Sequence, residues 1–350
     1  MRQLTFNRPI IWQPLPGMIL STRLMDILWL LVFAALLVAC VVWAVSTGSY
    51  GLDINKVVQA LLTPEAVPER QVNLVWELRL PRIMAAVLCG AALSVAGVIM
   101  QAITRNPLAS PGLTGVESGA SVTLLVLLIL LPNALPHYLL PLAALIGGGA
   151  VAAFVYILAS LRGFSPLRLI LVGVGITALL SSVSDLLITY GDIERVESAL
   201  IWLSGSLHQV TWPDIQVMAW WSIAGLLVWS TFRTLNLLRL GDSVALSRGV
   251  NPKVMIPVLL LLAVALTSAA VATVGTLSFV GLMAPHIARR FCGDRHGVLI
   301  PMAAMVGGLM VLLGDTIGRI LFAPLQLPSG LVIVMIGAPY FVFLMRKMRH

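Results

Sequence analysis

RLPRIMAAVLCGAALSVAGVIMQAITRNPLASPGLTG, residues 79–115, opens on Arg79 and Arg82 and closes on a turn punctuated by Pro107, Pro111 and Gly115. Between the charged ends, residues 83–104 give 22 positions without a formal charge. An α-helix needs about 20 residues to cross roughly 30 Å of hydrocarbon, so this segment is expected to span a membrane. Ala86, Gly90 and Ser94 recur every fourth position and place three small side chains on one stripe, where a neighbouring helix approaches closely. Pro81 falls where a helix's first turn tolerates a missing N–H, which predicts a sharp start beside Arg82.

The rest of the chain agrees with a membrane setting. Of 350 residues, 59% are hydrophobic and 10% charged, too apolar for a water-facing surface. The first apolar run, residues 27–46, is longer than the roughly 7 to 15 residues of a signal-peptide core and is expected to remain as a span. Apolar runs bounded by charge, Pro or Gly predict ten spans, near 27–46, 82–103, 114–131, 138–160, 168–190, 214–232, 254–273, 277–291, 299–321 and 330–345. This is an all-α polytopic membrane protein, with a tail at 1–26, a transmembrane domain at 27–345 and a tail at 346–350. Placing both tails in the cytoplasm puts 16 of the 22 basic residues inside. The outside then receives Lys56, Arg70, Arg79, Arg82, Arg195 and Arg319 against eight acids, as the positive-inside rule requires. That distribution accounts for the net charge of +8 without nucleic acid. Residues 47–81 form the longest outer loop, with a short surface helix near 53–62. The long inner connection 233–253 contains GDSVALSRGVNP (241–252), whose glycines bracket about two helical turns.

Catalytic motifs are not visible. Lys56, Lys253 and Lys347 are followed by Val, Val and Met, so there is no P-loop, and neither an HExxH pair nor a paired-carboxylate motif is present. Cys40, Cys89 and Cys292 are widely spaced and read as buried apolar residues, with no metal cluster and no cofactor site. Ionisable groups near spans are costly in lipid and need an explanation. Asp315 and Arg319, four apart, read either as an intrahelical pair or as a helix-end Arg319 available for docking. Glu117 reads as complementing a helix N-terminus in preference to binding an ion, Asp185 as a satisfied buried acid in preference to a pore residue, and His286 as ordering the turn before Arg289 and Arg290 in preference to relaying protons.

RLPR (79–82), GAALSVAGVIMQAITRNPLASPGLTG (90–115), SPLRLILVGVG (165–175), WLSGSL (202–207), LGDSVALSRGV (240–250), LSFVGLMAPHIARR (277–290), GDTIGR (314–319) and LPSGLV (327–332) occur in this order. The set resembles the iron-siderophore and cobalamin permease family of ABC importers, from about residue 27 onward. The resemblance implies a ten-helix type II importer subunit in the inner membrane. Its expected partners are a second permease, identical or not, ATP-binding cassette ATPase subunits and a periplasmic or lipid-anchored substrate-binding protein. It places Gly241, Asp242, Ser243, Ala245, Leu246, Arg248 and Gly249 in the helix that couples to the ATPase. Ser165, Pro166 and Leu167 fall in the cytoplasmic gate, and Arg79, Arg82 and Arg319 at the outer face, where they dock the binding protein rather than stabilise the fold. SPLR departs from the more hydroxylated cobalamin members, which points to a ferric siderophore or ferric citrate as cargo, with cobalamin or haem as the alternative. The rival class is an ion-coupled transporter using Glu117, Asp185, His286 and Asp315.

Overall fold

The computed structural model describes residues 9–15, 18–48, 51–132, 134–161, 163–321, 323 and 326–347. A short antiparallel hairpin, β1 (Pro9–Leu15) and β2 (Met18–Arg23), precedes α1 (Leu24–Ser46) and occupies the segment expected as a plain tail. Among the described residues, no further strand follows it. The surface helix predicted in the long loop is α2 (Ile54–Leu62). It is followed by α3 (Glu69–Asn73), a π-helical turn (Leu74–Arg79) and α4 (Leu80–Thr104).

Residues Glu69–Thr104 are therefore one helical run of 36 residues, and the sharp start expected at Pro81 is not observed. Pro81 lacks the N–H that would close an ordinary helical turn. The wider π turn immediately before it carries the chain through without a break.

A 3₁₀ turn (Pro111–Thr114) leads into α5 (Val116–Leu125), which continues as a π turn (Val126–Leu130). Next come α6 (Leu140–Ser160), α7 (Pro166–Tyr190), the short α8 (Ile193–Leu203) and α9 (Trp212–Ser230). The connection expected as an inner loop holds two helices, α10 (Phe232–Leu240) and α11 (Asp242–Ser247). The chain ends with α12 (Pro252–Val274), α13 (Val280–Cys292), α14 (His296–Leu321) and α15 (Ser329–Lys347).

Each of the ten predicted spans falls on a helix, although not all are full crossings by themselves. Among the described residues, six helices are long and apolar enough to cross, and α9 with α10, bent by 56°, makes a seventh if the pair is one span. With 13 residues, α13 reaches only about 20 Å at 1.5 Å per residue.

The small-residue stripe of α4 does what its spacing predicts. α4 is buried along most of its length and packs against α9, α12, α13 and α14. At Gly90 a Cβ would lie 2.3 Å from the Gly307 carbonyl oxygen of α14, and at Gly97 one would lie 1.8 Å from that of Gly281 in α13. Backbones this close exclude any side chain. Gly97→Val should lower the apparent melting temperature of the detergent-solubilised protein, since overpacking a tight contact costs about 1–3 kcal/mol or more. Gly175→Val on α7, where an added Cβ meets nothing within 4 Å, should leave it unchanged. Equal effects at the two positions would overturn the packing argument.

Candidate functional site

One end of the bundle is braced by three arginines. Arg82 Nε lies 3.0 Å from both Asp315 oxygens and Arg82 Nη2 lies 2.8 Å from Oδ1, so α4 is clamped to α14 by a bidentate pair. Arg82 Nη1 also donates to Gln326 Oε1 at 2.6 Å. Arg319 Nε lies 3.3 Å from Asp315 Oδ2, so the intrahelical pair forms as well. The arginines also cap α1, whose last turn leaves carbonyls without helical partners. Arg319 Nη2 donates to the Ala44 carbonyl at 3.3 Å and Arg79 Nη1 donates to that of Val45.

Arg79, Arg82 and Arg319 are only 4%, 8% and 5% exposed and Asp315 is fully buried. All three therefore brace the fold from within the bundle. Their partners lie inside the chain, and their side chains are held by them.

Along the bundle, α7 stands apart. Only Leu169 and Gly173 are buried among its 25 residues. Gly175, Ala178, Ser182, Asp185 and Thr189 are all exposed, and spacings of three and four put them on one helix face. Ser182 Oγ donates to the Ala178 carbonyl at 3.1 Å and Thr189 Oγ1 to that of Asp185 at 2.7 Å. Asp185 is thus not the buried acid expected from its sequence context. A carboxylate and two hydroxyls on the open face of a membrane-length helix are unsuited to hydrocarbon and call for water or protein.

Ser165 begins this helix, its Oγ accepting from the Arg168 N–H at 3.5 Å. Arg168 donates to the Gly163 carbonyl at 3.1 Å, Gly163 takes a left-handed φ of +87°, and Leu167 is exposed beside Pro166.

At the other end of α4, Arg105 closes the helix in the left-handed conformation, φ 51°, usually left to glycine or asparagine. That geometry carries its guanidinium to α10 and α11: Nε donates to the Leu238 carbonyl at 3.1 Å and Nη2 pairs with Asp242. Asp242 stands in the first turn of α11, where a negative charge complements the helix dipole. Gly241 and Gly249 flank α11 at φ +126° and +84° and fold the chain sharply away on both sides. Ala245 is buried, whereas Ser243, Leu246, Arg248 and Gly249 are exposed, leaving one side of this short helix open for contact.

Several other charges at this end form pairs, most of them between distant elements. Arg239 and Arg289 both bind Asp294, at 2.8 and 3.1 Å, and Asp26 pairs with Arg295. The fully buried His296 has Nδ1 2.7 Å from Asn236 Oδ1. His286 is half-buried within α13, so it orders no turn. Glu117 lies in the first turn of α5 as expected, folded back towards Gly112, whose Cβ would meet it at 2.8 Å.

Three comparisons bear on this arrangement. Residues 36–347 match the model of the FecCD transport family. The chain is 39% identical over 317 residues to the achromobactin transport system permease protein CbrC of Dickeya dadantii, covering 90% of each chain. It is 41% identical over 292 residues to the Fe(3+) dicitrate transport system permease protein FecD of Escherichia coli, covering 83% of this chain and 91% of the relative. Among solved structures it is similar to one described as an inward-facing, metal-chelate type ABC transporter. The TM-score is 0.80 and the identity 29%, over 92% of this chain and 99% of the other.

Proposed function

The chain belongs to the FecCD transport family, and from that premise we propose that it is the permease subunit of an ATP-driven importer carrying a ferric siderophore or ferric citrate. The family is one of transport subunits, and this member is a multi-pass membrane protein. The CbrC relative is named for achromobactin transport and the FecD relative for Fe(3+) dicitrate transport, and the latter name supports that cargo class. The observation that carries the mechanism is α7, whose polar face is exposed although its length and hydropathy suit a membrane. A second permease facing α7 would enclose that stripe in a water-filled path, one carboxylate among small and hydroxylated residues, with low affinity for a bulky polar chelate.

In this reading both termini and α11 face the cytoplasm of an inner membrane, an orientation that the basic asymmetry supports. The open side of α11, from Gly241 to Gly249, seats on a separate ATPase subunit, and the turn at Ser165, Pro166 and Leu167 closes the inner mouth of the path. A substrate-binding protein delivers cargo to the end braced by Arg79, Arg82 and Arg319. An ion-coupled mechanism is disfavoured because Asp315 is already committed to Arg82 and Arg319.

The native cysteines are all buried, so a single cysteine at Ser182 or Asp185 is a clean probe of the path. In the assembled transporter, a bulky water-soluble thiol reagent should label either position and block ATP-dependent uptake of radioactive ferric citrate or siderophore. A cysteine at Leu226, on the exposed apolar face of α9, should stay unlabelled. Full labelling at 182 and 185 without loss of uptake would exclude α7 from the path, and uptake without ATP would exclude an ATP-driven importer.

A further inference from the structure

Beside α11 lies a cavity of about 420 Å³ whose wall carries Arg105, Arg239, His286, Arg289 and Arg290, with Asp294 as its acid. The translocation reading uses none of it except Arg105. Its charges do not cancel. Arg105 is matched by Asp242, while Arg239 and Arg289 share the single carboxylate of Asp294. Arg290 leans on the Tyr340 ring, its guanidinium carbon 5.8 Å from the ring centre, a contact that leaves its N–H donors available. Four guanidiniums against two carboxylates leave two positive charges around one concave space. A guanidinium also has five N–H donors and no acceptor, so two shared oxygens on Asp294 leave much of the donor capacity at Arg239 and Arg289 unused.

Three separate elements build the wall: the left-handed end of α4, the last turn of α10 and the basic turn of α13 with the acid that follows it. Arg289 is fixed there by the Gln101 side chain of α4, which accepts from its Nη1, while Gln101 Nε2 donates to the Leu282 carbonyl at 3.2 Å. The donors are thus positioned before any ligand arrives. A tetrahedral oxyanion with several acceptor oxygens suits fork-shaped donors arriving from different directions.

We infer that this cavity binds a phosphate group. Two sources share that chemistry: the headgroup of an anionic phospholipid reaching in from the membrane surface, where basic pockets between spanning helices commonly hold such groups, and free phosphate. Because Arg105 joins the cavity to Asp242, an occupied site would also steady α11 against α4. The inference needs the cavity alone and holds whichever side of the membrane it faces and whatever the cargo is.

The test uses the assembled transporter in phosphatidylcholine nanodiscs doped with spin-labelled phosphatidylglycerol, with the immobilised lipid fraction read by electron spin resonance. A phospholipid site predicts immobilised phosphatidylglycerol that neutral spin-labelled lipid does not reproduce. A free-phosphate site predicts no such lipid, but saturable uptake of radiolabelled inorganic phosphate by the same particles. For whichever ligand binds, Arg239→Gln and Arg290→Gln should each weaken it about fivefold, the effect of one arginine near a membrane surface. Asp294→Asn removes the competing carboxylate and should tighten binding by a similar factor, a gain that misfolding cannot imitate. Binding of neither ligand, or equal binding by all variants, overturns the inference.

Discussion

Asp315→Ala should be the most damaging single substitution in the chain. It removes the carboxylate that Arg82 and Arg319 share, in a region where both guanidiniums are almost fully buried. Deleting one partner of a buried pair costs about 3–5 kcal/mol, because the charge left behind has neither water nor a counter-ion. Here two charges are left behind, and Arg79 stands near them at Gly48. The expected result is little protein in the membrane and a markedly lower apparent melting temperature in what is recovered, with no dependence on salt because the pair is screened from solvent. The combined change Arg82→Met, Asp315→Leu and Arg319→Met removes charge and counter-charge together and should recover most of the loss, since a buried ion pair adds little net stability over a well-packed apolar replacement. A normal melting temperature for Asp315→Ala would show that water reaches these groups and that the end is not braced as described. The same logic changes what a reversal such as Arg82→Glu reports. Two carboxylates would face each other in a buried site, so lost capture of a binding protein would first have to be separated from lost folding.

Much of the architecture was legible along the chain, because membrane helices announce themselves by composition. The spacing of Ala86, Gly90 and Ser94 located the face of α4 that meets α14, and the glycines at 241 and 249 located α11. What remained hidden depends on neighbours distant in sequence. Arg82 and Asp315 are 233 positions apart, so nothing local separates a buried, paired arginine from an exposed one at the same helix end. Asp315 four residues before Arg319 pointed to half of the network and gave no sign of Arg82. The helix α10 was missed because Arg233 and Arg239 made its segment resemble a loop, while Phe232, Leu235 and Leu238 supply the buried side that holds it. Pro81 looked like a helix start because the rule presumes ordinary α-helical spacing, which the π turn before it does not keep. Asp185 shows the opposite failure. A lone acid in an apolar run suggested burial with a partner, whereas α7 turns that face outward, towards surroundings that one chain alone does not encode.

Gly249→Pro should cut transport by roughly tenfold or more while leaving the bundle intact. Gly249 has a φ of +84°, and the proline ring fixes φ near about −65°, so the substitution cannot keep the exit turn of α11. It also deletes the N–H that donates to the Leu246 carbonyl at 3.0 Å. No added Cβ would meet anything within 4 Å at Gly249 or Gly241, so the damage is a change in the direction of the chain and not a clash that could unfold the protein. α11 has only six residues and is held to α4 chiefly through Arg105 and Asp242, a half-exposed pair of the kind that contributes about 0.2–1 kcal/mol. So slight an attachment cannot correct a turn that points the wrong way. If motion of an ATPase subunit enters through this helix and passes by Arg105 into the long rigid run of α4, uptake should fall by roughly tenfold or more, since about 1.4 kcal/mol lost at the rate-limiting step is already a factor of ten. Stimulation of ATP hydrolysis by loaded binding protein should disappear with it. Gly249→Ala is the graded control: a left-handed alanine costs only about 1–2 kcal/mol and keeps the N–H, so it should retain part of the activity. Unchanged uptake by Gly249→Pro, at normal membrane levels and normal melting temperature, would remove α11 from the coupling path.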